Sequence, residues 1–192
     1  MTKEMLILTF SNIPTLRTER LVLRKMLVTD ASDMFEYARR AETSRYLFWS
    51  PHENISHTKA YLKFINERYR AGDFFDWAIT LRDSGKMIGT CGFTRIDATH
   101  HVGEIGYVLN PDYHRQGLAA EAASAVIKFG FEELDLSRIE ARFLRENEAS
   151  FKVTQKLGMT LEGYLRDNIR VKGETRTVGI SSILKSEYKK GV

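Results

Sequence analysis

The residues best placed to do chemistry lie in one stretch, Gly103 to Phe131, which reads GEIGYVLNPDYHRQGLAAEAASAVIKFGF. Ile105, Tyr107, Val108 and Leu109 form an apolar run with the character of a buried strand. Asn110-Pro111-Asp112 breaks it, because Pro111 has no N–H to give a ladder and Asn-Pro favours a turn. From Leu118 the period is helical, with Leu118, Ala122, Val126 and Phe129 on one face. Between them stands His114-Arg115-Gln116-Gly117-Leu118-Ala119-Ala120. A strand feeding a glycine loop that opens a helix is suited to bind an anion. The unpaired N–H groups of the first turn point at the ligand, and the helix dipole adds roughly half a positive charge there. Gly117, Ala119 and Ala120 are small enough to let a phosphate approach the backbone. The spacing is not a Walker loop, since no Lys-Ser or Lys-Thr follows Gly117, and it is not GxGxxG.

The elements that must hold this loop follow from periodicity. Leu21 to Met26 alternates as a strand. Thr29 or Asp30 caps a helix through about Arg40, and a second helix runs from near Ser56 until Gly72 stops it. Residues 41–55 between them are an aromatic-rich loop. Phe75, Trp77, Ile79 and Leu81 then alternate, a turn at 83–86 follows, and Met87 to Ile96 completes a hairpin. Gly103 to Leu109 is the third antiparallel strand. After the helix that opens at Leu118, 138–143 reads as a strand. Asn147 is the N-cap of a short helix ending at Lys156-Leu157-Gly158, and strands at 159–164 and 178–184 close the sheet. The fold class is α+β.

Composition narrows the partners. The chain has 192 residues, 43% hydrophobic and 28% charged, as expected of one globular domain. Its net charge of +4 comes from 29 basic and 25 acidic residues that are interspersed. The densest basic cluster is Lys189-Lys190, so a nucleic-acid partner is not expected. The apolar run Met5 to Leu8 is far too short for a membrane span, and no signal peptide is expected. A single cysteine, Cys91, points to a reducing, cytoplasmic setting. Cys91 reads as a small core residue rather than a nucleophile, since no histidine is near it in sequence. No CxxC or His/Cys cluster calls for a metal, and His100-His101 reads as an exposed loop.

The loop resembles the pyrophosphate-binding loop of the GNAT acyl-CoA N-acetyltransferases, [RQ]xxGx[GA], with Gly117 and Ala119 matching and His114 in the Arg/Gln place. Arg115 and Gln116 stand where the family more often has Gly and a basic residue. Two further phrases fall in the family's order, Thr18-x-Arg20-Leu21-x-Leu23-Arg24 near the start and Asn147-x-x-Ser150 ahead of Lys156-Leu157-Gly158-Met159. Together with Gly106-Tyr107, Leu109, Pro111, Tyr113 and Glu121-Ala122, they look like the RimJ/RimL type. The resemblance covers about residues 15–188 of a single domain spanning 1–192. It implies a mixed, mostly antiparallel twisted sheet, splayed between two strands and flanked by helices.

The resemblance also implies acetyl-CoA as co-substrate, with no metal, and direct transfer to an amine, most like enzymes that acetylate protein N-termini. His114 to Ala120 would hold the pyrophosphate. Backbone groups of Tyr107, Val108 and Leu109 would pair with the pantetheine arm, one N–H polarising the thioester carbonyl for about 3 kcal/mol. Glu104, at the start of that strand, is the expected base through water, with Glu121 a competitor suited to the helix dipole or a structural bond. Asn147 would bond the pantetheine arm and Ser150 the leaving thiol, because Thr154 occupies the place of the family's usual tyrosine. Tyr46, Phe48, Trp49, Phe74 and Phe75 are the expected acceptor pocket. A small-molecule amine acceptor, or a non-catalytic acyl-CoA-binding module, are the alternatives. The family's habit of pairing makes a homodimer an expectation. An α-amine, with its pKa near 7.7–8.0, demands about 3 units less of a base than lysine at about 10.4.

Overall fold

The computed structural model describes residues 2–188, so Lys189 and Lys190 lie outside the described residues. Among the described residues, fourteen helices and strands occur in the order α1 (Lys3–Ser11), β1 (Leu16–Arg17), β2 (Leu21–Arg24), α2 (Ala31–Ala38), α3 (Ala41–Ser44), α4 (Ile55–Ala71), β3 (Phe75–Leu81), β4 (Met87–Asp97), β5 (Val102–Leu109), α5 (Leu118–Glu132), β6 (Arg138–Leu144), α6 (Glu148–Lys156), β7 (Thr160–Val171) and β8 (Glu174–Leu184). The strands form one sheet in the order β1-β2-β3-β4-β5-β6-β8-β7. Every pairing is antiparallel except β5 with β6. The crossover between those two carries α5, as a parallel pair requires.

That parallel pairing is short. It runs from Val102↔Arg138 to Ile105↔Ala141 and stops, although both strands continue, to Leu109 and Leu144. Beyond Ile105 the two strands diverge, and the β6-facing edge of Gly106 to Leu109 has no ladder partner. This is the splayed, mixed sheet that the sequence leads one to expect.

Alternation assigns each face. Trp77 on β3 meets Phe129 of α5 at 5.5 Å, so the odd residues of β3 face α5. The opposite face of β2–β4 is covered by α2 and α4: the Tyr69 hydroxyl donates to the Asp76 carbonyl, and the Asp33 carboxylate accepts from Met87 N–H. The middle of the sheet on that face is different. Thr90, Gly106 and Val108 are partly open to solvent.

Helix α1 falls in a stretch that gave no helical period in sequence. Met5, Ile7 and Leu8 are exposed, and only Leu6 and Phe10, four apart, turn inward. Thr2 caps it, its hydroxyl accepting from Met5 N–H at 3.2 Å. Strands β7 and β8 are longer than the alternation suggests, meeting at a tight turn with Lys172 and Gly173 both left-handed. β7 is also the sheet's last strand. Its register slips at Leu161/Gly163 and again at Leu165/Ile169, leaving Arg166, Asp167 and Asn168 outside the ladder.

Phe10 is fully buried, edge-on to Phe75 at 4.6 Å, Trp77 at 5.8 Å and Phe129 at 6.2 Å. Replacing it with alanine is expected to lower unfolding free energy by about 3–5 kcal/mol, read as a shift of the urea midpoint at unchanged slope.

Candidate active site

The anion loop is built as a tight reversal. Arg115 and Gly117 both have positive φ, 61° and 80°, which turns the chain from β5 into α5 within a few residues. The first helical bond runs from Glu121 N–H to the Gly117 carbonyl at 3.0 Å. The amides ahead of it, on Leu118, Ala119 and Ala120, are those a helix start leaves over. Leu118 is buried and anchors the turn, Ala119 and Ala120 are half-buried, and His114, Arg115 and Gln116 are exposed. His114 Nε2–H donates to the Leu109 carbonyl at 3.0 Å, tying the loop to the end of β5. The side chain in the family's Arg/Gln place is thus a structural tie.

A second brace holds the loop from the far edge of the sheet. The Glu121 carboxylate accepts from the Thr18 hydroxyl at 2.6 Å, from Arg20 N–H at 2.9 Å and from Arg20 Nε at 2.7 Å. Arg20 Nη1 also donates to the Gln116 carbonyl at 3.0 Å. One arginine therefore joins the turn between β1 and β2 to both the loop and the helix it opens. Partial burial disfavours the Glu121 charge, but the Thr18 and Arg20 hydrogen bonds outweigh that and keep its pKa below the usual value. Sequence reasoning set Glu121 beside Glu104 as a competing base; its ligands here make it a structural group.

At the splay, Tyr107 crosses from β5 to α6. Its hydroxyl lies 2.9 Å from Ser150 Oγ and donates to the Ser150 carbonyl at 3.0 Å. Burial raises the Tyr107 pKa to about 12, so it stays a neutral hydrogen-bond donor. Asn147 caps α6, its Oδ1 accepting from Ser150 N–H at 3.2 Å. The structure thus brings Tyr107, Asn147 and Ser150 together at the mouth of the gap. Thr154 is fully buried, its hydroxyl donating to the Phe151 carbonyl at 2.8 Å, so it offers the site no hydroxyl.

Glu104 faces the other side of the sheet. Its carboxylate accepts from the Thr94 hydroxyl at 2.9 Å and meets Arg142 at 3.3 Å. Glu140 stands directly beside it across the parallel rung, and Arg142 bridges both carboxylates, reaching Glu140 at 3.5 Å. Without that arginine two like charges would face each other across strands.

The five aromatics do not line one cavity. Tyr46 packs with Leu144, Val171 and Val178, at the end of β6 that has left β5, and borders a cleft of about 270 Å³. Phe48 is 73% exposed, and Trp49 packs toward His52 at 5.6 Å. Phe74 is edge-on to Tyr69, and Phe75 is turned onto Phe10 on the α5 side. Sequence proximity grouped them; strand alternation sends Phe74 and Phe75 to opposite faces.

Glu121→Gln is expected to cost about 1–2 kcal/mol of stability at neutral pH, since Arg20 is half exposed. Because the folded pKa is depressed, that difference is present above about pH 4.3 and fades as pH falls through the lower folded value. Urea titrations of both proteins at pH 7 and pH 3 check it.

Among known proteins, residues 20–160 match the Acetyltransferase (GNAT) domain family. The chain is 37% identical over 174 residues to the uncharacterized N-acetyltransferase p20 of Bacillus licheniformis, covering 91% of this chain and 98% of that protein. It is 28% identical to the [Ribosomal protein uS5]-alanine N-acetyltransferase of Escherichia coli, covering 94% and 97% of the two chains. A GNAT-family acetyltransferase structure from Bacillus anthracis superimposes with a TM-score of 0.80 at 30% identity, over 91% of this chain and all of that one. A strand pair parted beside a glycine-opened helix is thus joined to a family match over most of the sequence: the chain belongs to the GNAT acetyltransferases, which transfer an acetyl group from acetyl-CoA to an amine.

Proposed function

We propose that this chain acetylates the α-amino group of a protein, in the manner of the RimJ/RimL type. The observation that carries the acyl-transfer part is the end of β5–β6 pairing at Ile105, directly below the Tyr107–Ser150 contact and beside the 114–120 loop. The residues present fit acetyl-CoA. The first-turn amides of α5 suit its diphosphate, and the unpaired β5 edge from Gly106 to Leu109 suits the amide groups of its pantetheine arm. When bound, acetyl-CoA supplies an activated thioester.

The chain's own groups then divide the work. A backbone N–H of the Tyr107–Leu109 edge polarises the thioester carbonyl. Ser150, placed by Tyr107 and by the Asn147 cap, turns its hydroxyl proton from the Tyr107 oxygen to a hydrogen bond with the departing sulfur. An alkyl thiol titrates near 8.5, so a hydrogen bond suffices and no strong acid is needed. Once the amine has added, its nitrogen becomes much more acidic. Glu104, paired with Arg142, takes that proton through water.

The α-amine acceptor is supported by the modest basicity on offer and by likeness to the uS5-alanine enzyme. Thiol release from acetyl-CoA across peptides with free N-termini, N-terminally blocked lysine peptides, polyamines and aminoglycosides tests it. Release with free N-termini alone is expected, and release confined to small amines overturns the protein acceptor. In the same assay Ser150→Ala should lower kcat about tenfold and Glu104→Gln about a hundredfold, with KM for acetyl-CoA little changed in the second.

A further inference from the structure

On the open face of the sheet one rung carries a carboxylate and two glycines. Asp76 on β3 is in register with Gly92 on β4, and Gly92 with Gly106 on β5. A Cβ on Gly92 would lie 2.3 Å from the Asp76 Cα and 2.8 Å from its Oδ1, so no other residue can stand there. The result is a strip with no side chain of its own at Gly92 or Gly106, leading from the Asp76 carboxyl, past the Thr94 methyl that lies against Gly106, to the first residue beyond the last β5–β6 rung. Two strand spacings make that strip roughly 10 Å long, a span that an amine and one water fill.

The surroundings of Asp76 are those of a receptor for a cation. Asp76 Oδ1 accepts from Trp77 N–H at 3.1 Å, and the Thr90 hydroxyl also serves the carboxyl. Asp76 remains partly open to solvent. Facing it are Tyr37 from α2 and Tyr61 and Tyr69 from α4, each of which feels its charge, as does Cys91 on the opposite face of the sheet. Tyr37 is 2% exposed, and its hydroxyl is buried with no hydrogen-bond partner, which is costly unless something is received there.

We propose that Asp76 receives the acceptor's primary ammonium group and takes its first proton, at the far end of the Gly92–Gly106 strip. This rests on the acetyl-transfer reading above and assigns the step that reading leaves out. The ammonium gives a proton to the Asp76 carboxylate through the one water between them, and the freed lone pair forms the C–N bond at the thioester carbon. The C–S bond breaks with its electron pair on sulfur, where Ser150 donates a hydrogen bond. The second nitrogen proton leaves through water to Glu104, the thiolate is later protonated by solvent, and Asp76 returns its proton to solvent. Burial lifts the Asp76 pKa to about 7 against the Thr90 and Trp77 hydrogen bonds. That value is close to an α-amine near 7.7–8.0 and far from lysine near 10.4, so proton transfer is nearly balanced only for the former.

Asp76→Asn tests the assignment in the full chain with alaninamide and an N-terminal alanine peptide as acceptors. KM for the acceptor should rise at least tenfold while KM for acetyl-CoA changes less than twofold. The inflection near pH 7 in kcat/KM should move up toward the amine's own value. Independently of turnover, the Asp76 side-chain carboxyl carbon resonance of the wild-type protein should shift on titration with alaninamide. Unchanged acceptor KM and pH profile, or a resonance indifferent to alaninamide, overturns the role of Asp76 while leaving acetyl transfer standing. Absence of thiol release with every amine overturns both.

Discussion

Four rungs of parallel pairing decide what this molecule can do. Val102 to Ile105 of β5 are satisfied by β6, and from Gly106 onward the same strand keeps its β4 partner but loses the other. Backbone amides and carbonyls left at an interior gap must find partners, and an extended chain with its own amides is a matching one. The gap is held open from one side by Tyr107, whose ring reaches across to α6 and is fixed there by two hydrogen bonds to Ser150. The residue that spans the gap is therefore also the one that orients the Ser150 hydroxyl, the group we propose for the leaving sulfur.

The two faces of the sheet carry different duties. The α5 side is a packed aromatic and aliphatic core around Phe10, Trp77 and Phe129. The other side is partly open to solvent across Thr90, Gly106 and Val108 and carries carboxylates in different company. Glu104 shares Arg142 with Glu140, whereas Asp76 lies near three tyrosines and has no ion pair among the described residues. On the proposal above, two carboxylates held differently take two protons of unequal acidity from one nitrogen.

Much of this was legible in the sequence. The loop from His114 to Ala120, the Asn147 cap and the strand order around them follow from turn residues and periodicity, and the splay follows from the family resemblance. What the sequence hid are relations between distant segments. Arg20 and Glu121 stand 101 residues apart, and nothing in either neighbourhood announces their bond. Asp76 lies between Phe75 and Trp77 and reads as an ordinary polar position in an alternating strand. Its standing depends on Gly92 and Gly106 falling on its own rung, which only the strand register fixes. Grouping Phe74 and Phe75 with Tyr46 failed for the converse reason, since neighbours along a strand point apart.

The last strand of the sheet has a bearing on how the protein keeps company with itself. An open border twelve residues long, with Leu161, Tyr164 and Leu165 partly exposed, is a template on which foreign strands could assemble. The two register slips kink that border, and Arg166, Asp167 and Asn168 swing free of the ladder along it. A flat incoming strand meets a bent, charged rim, so cross-β growth is discouraged where this fold is most vulnerable to it.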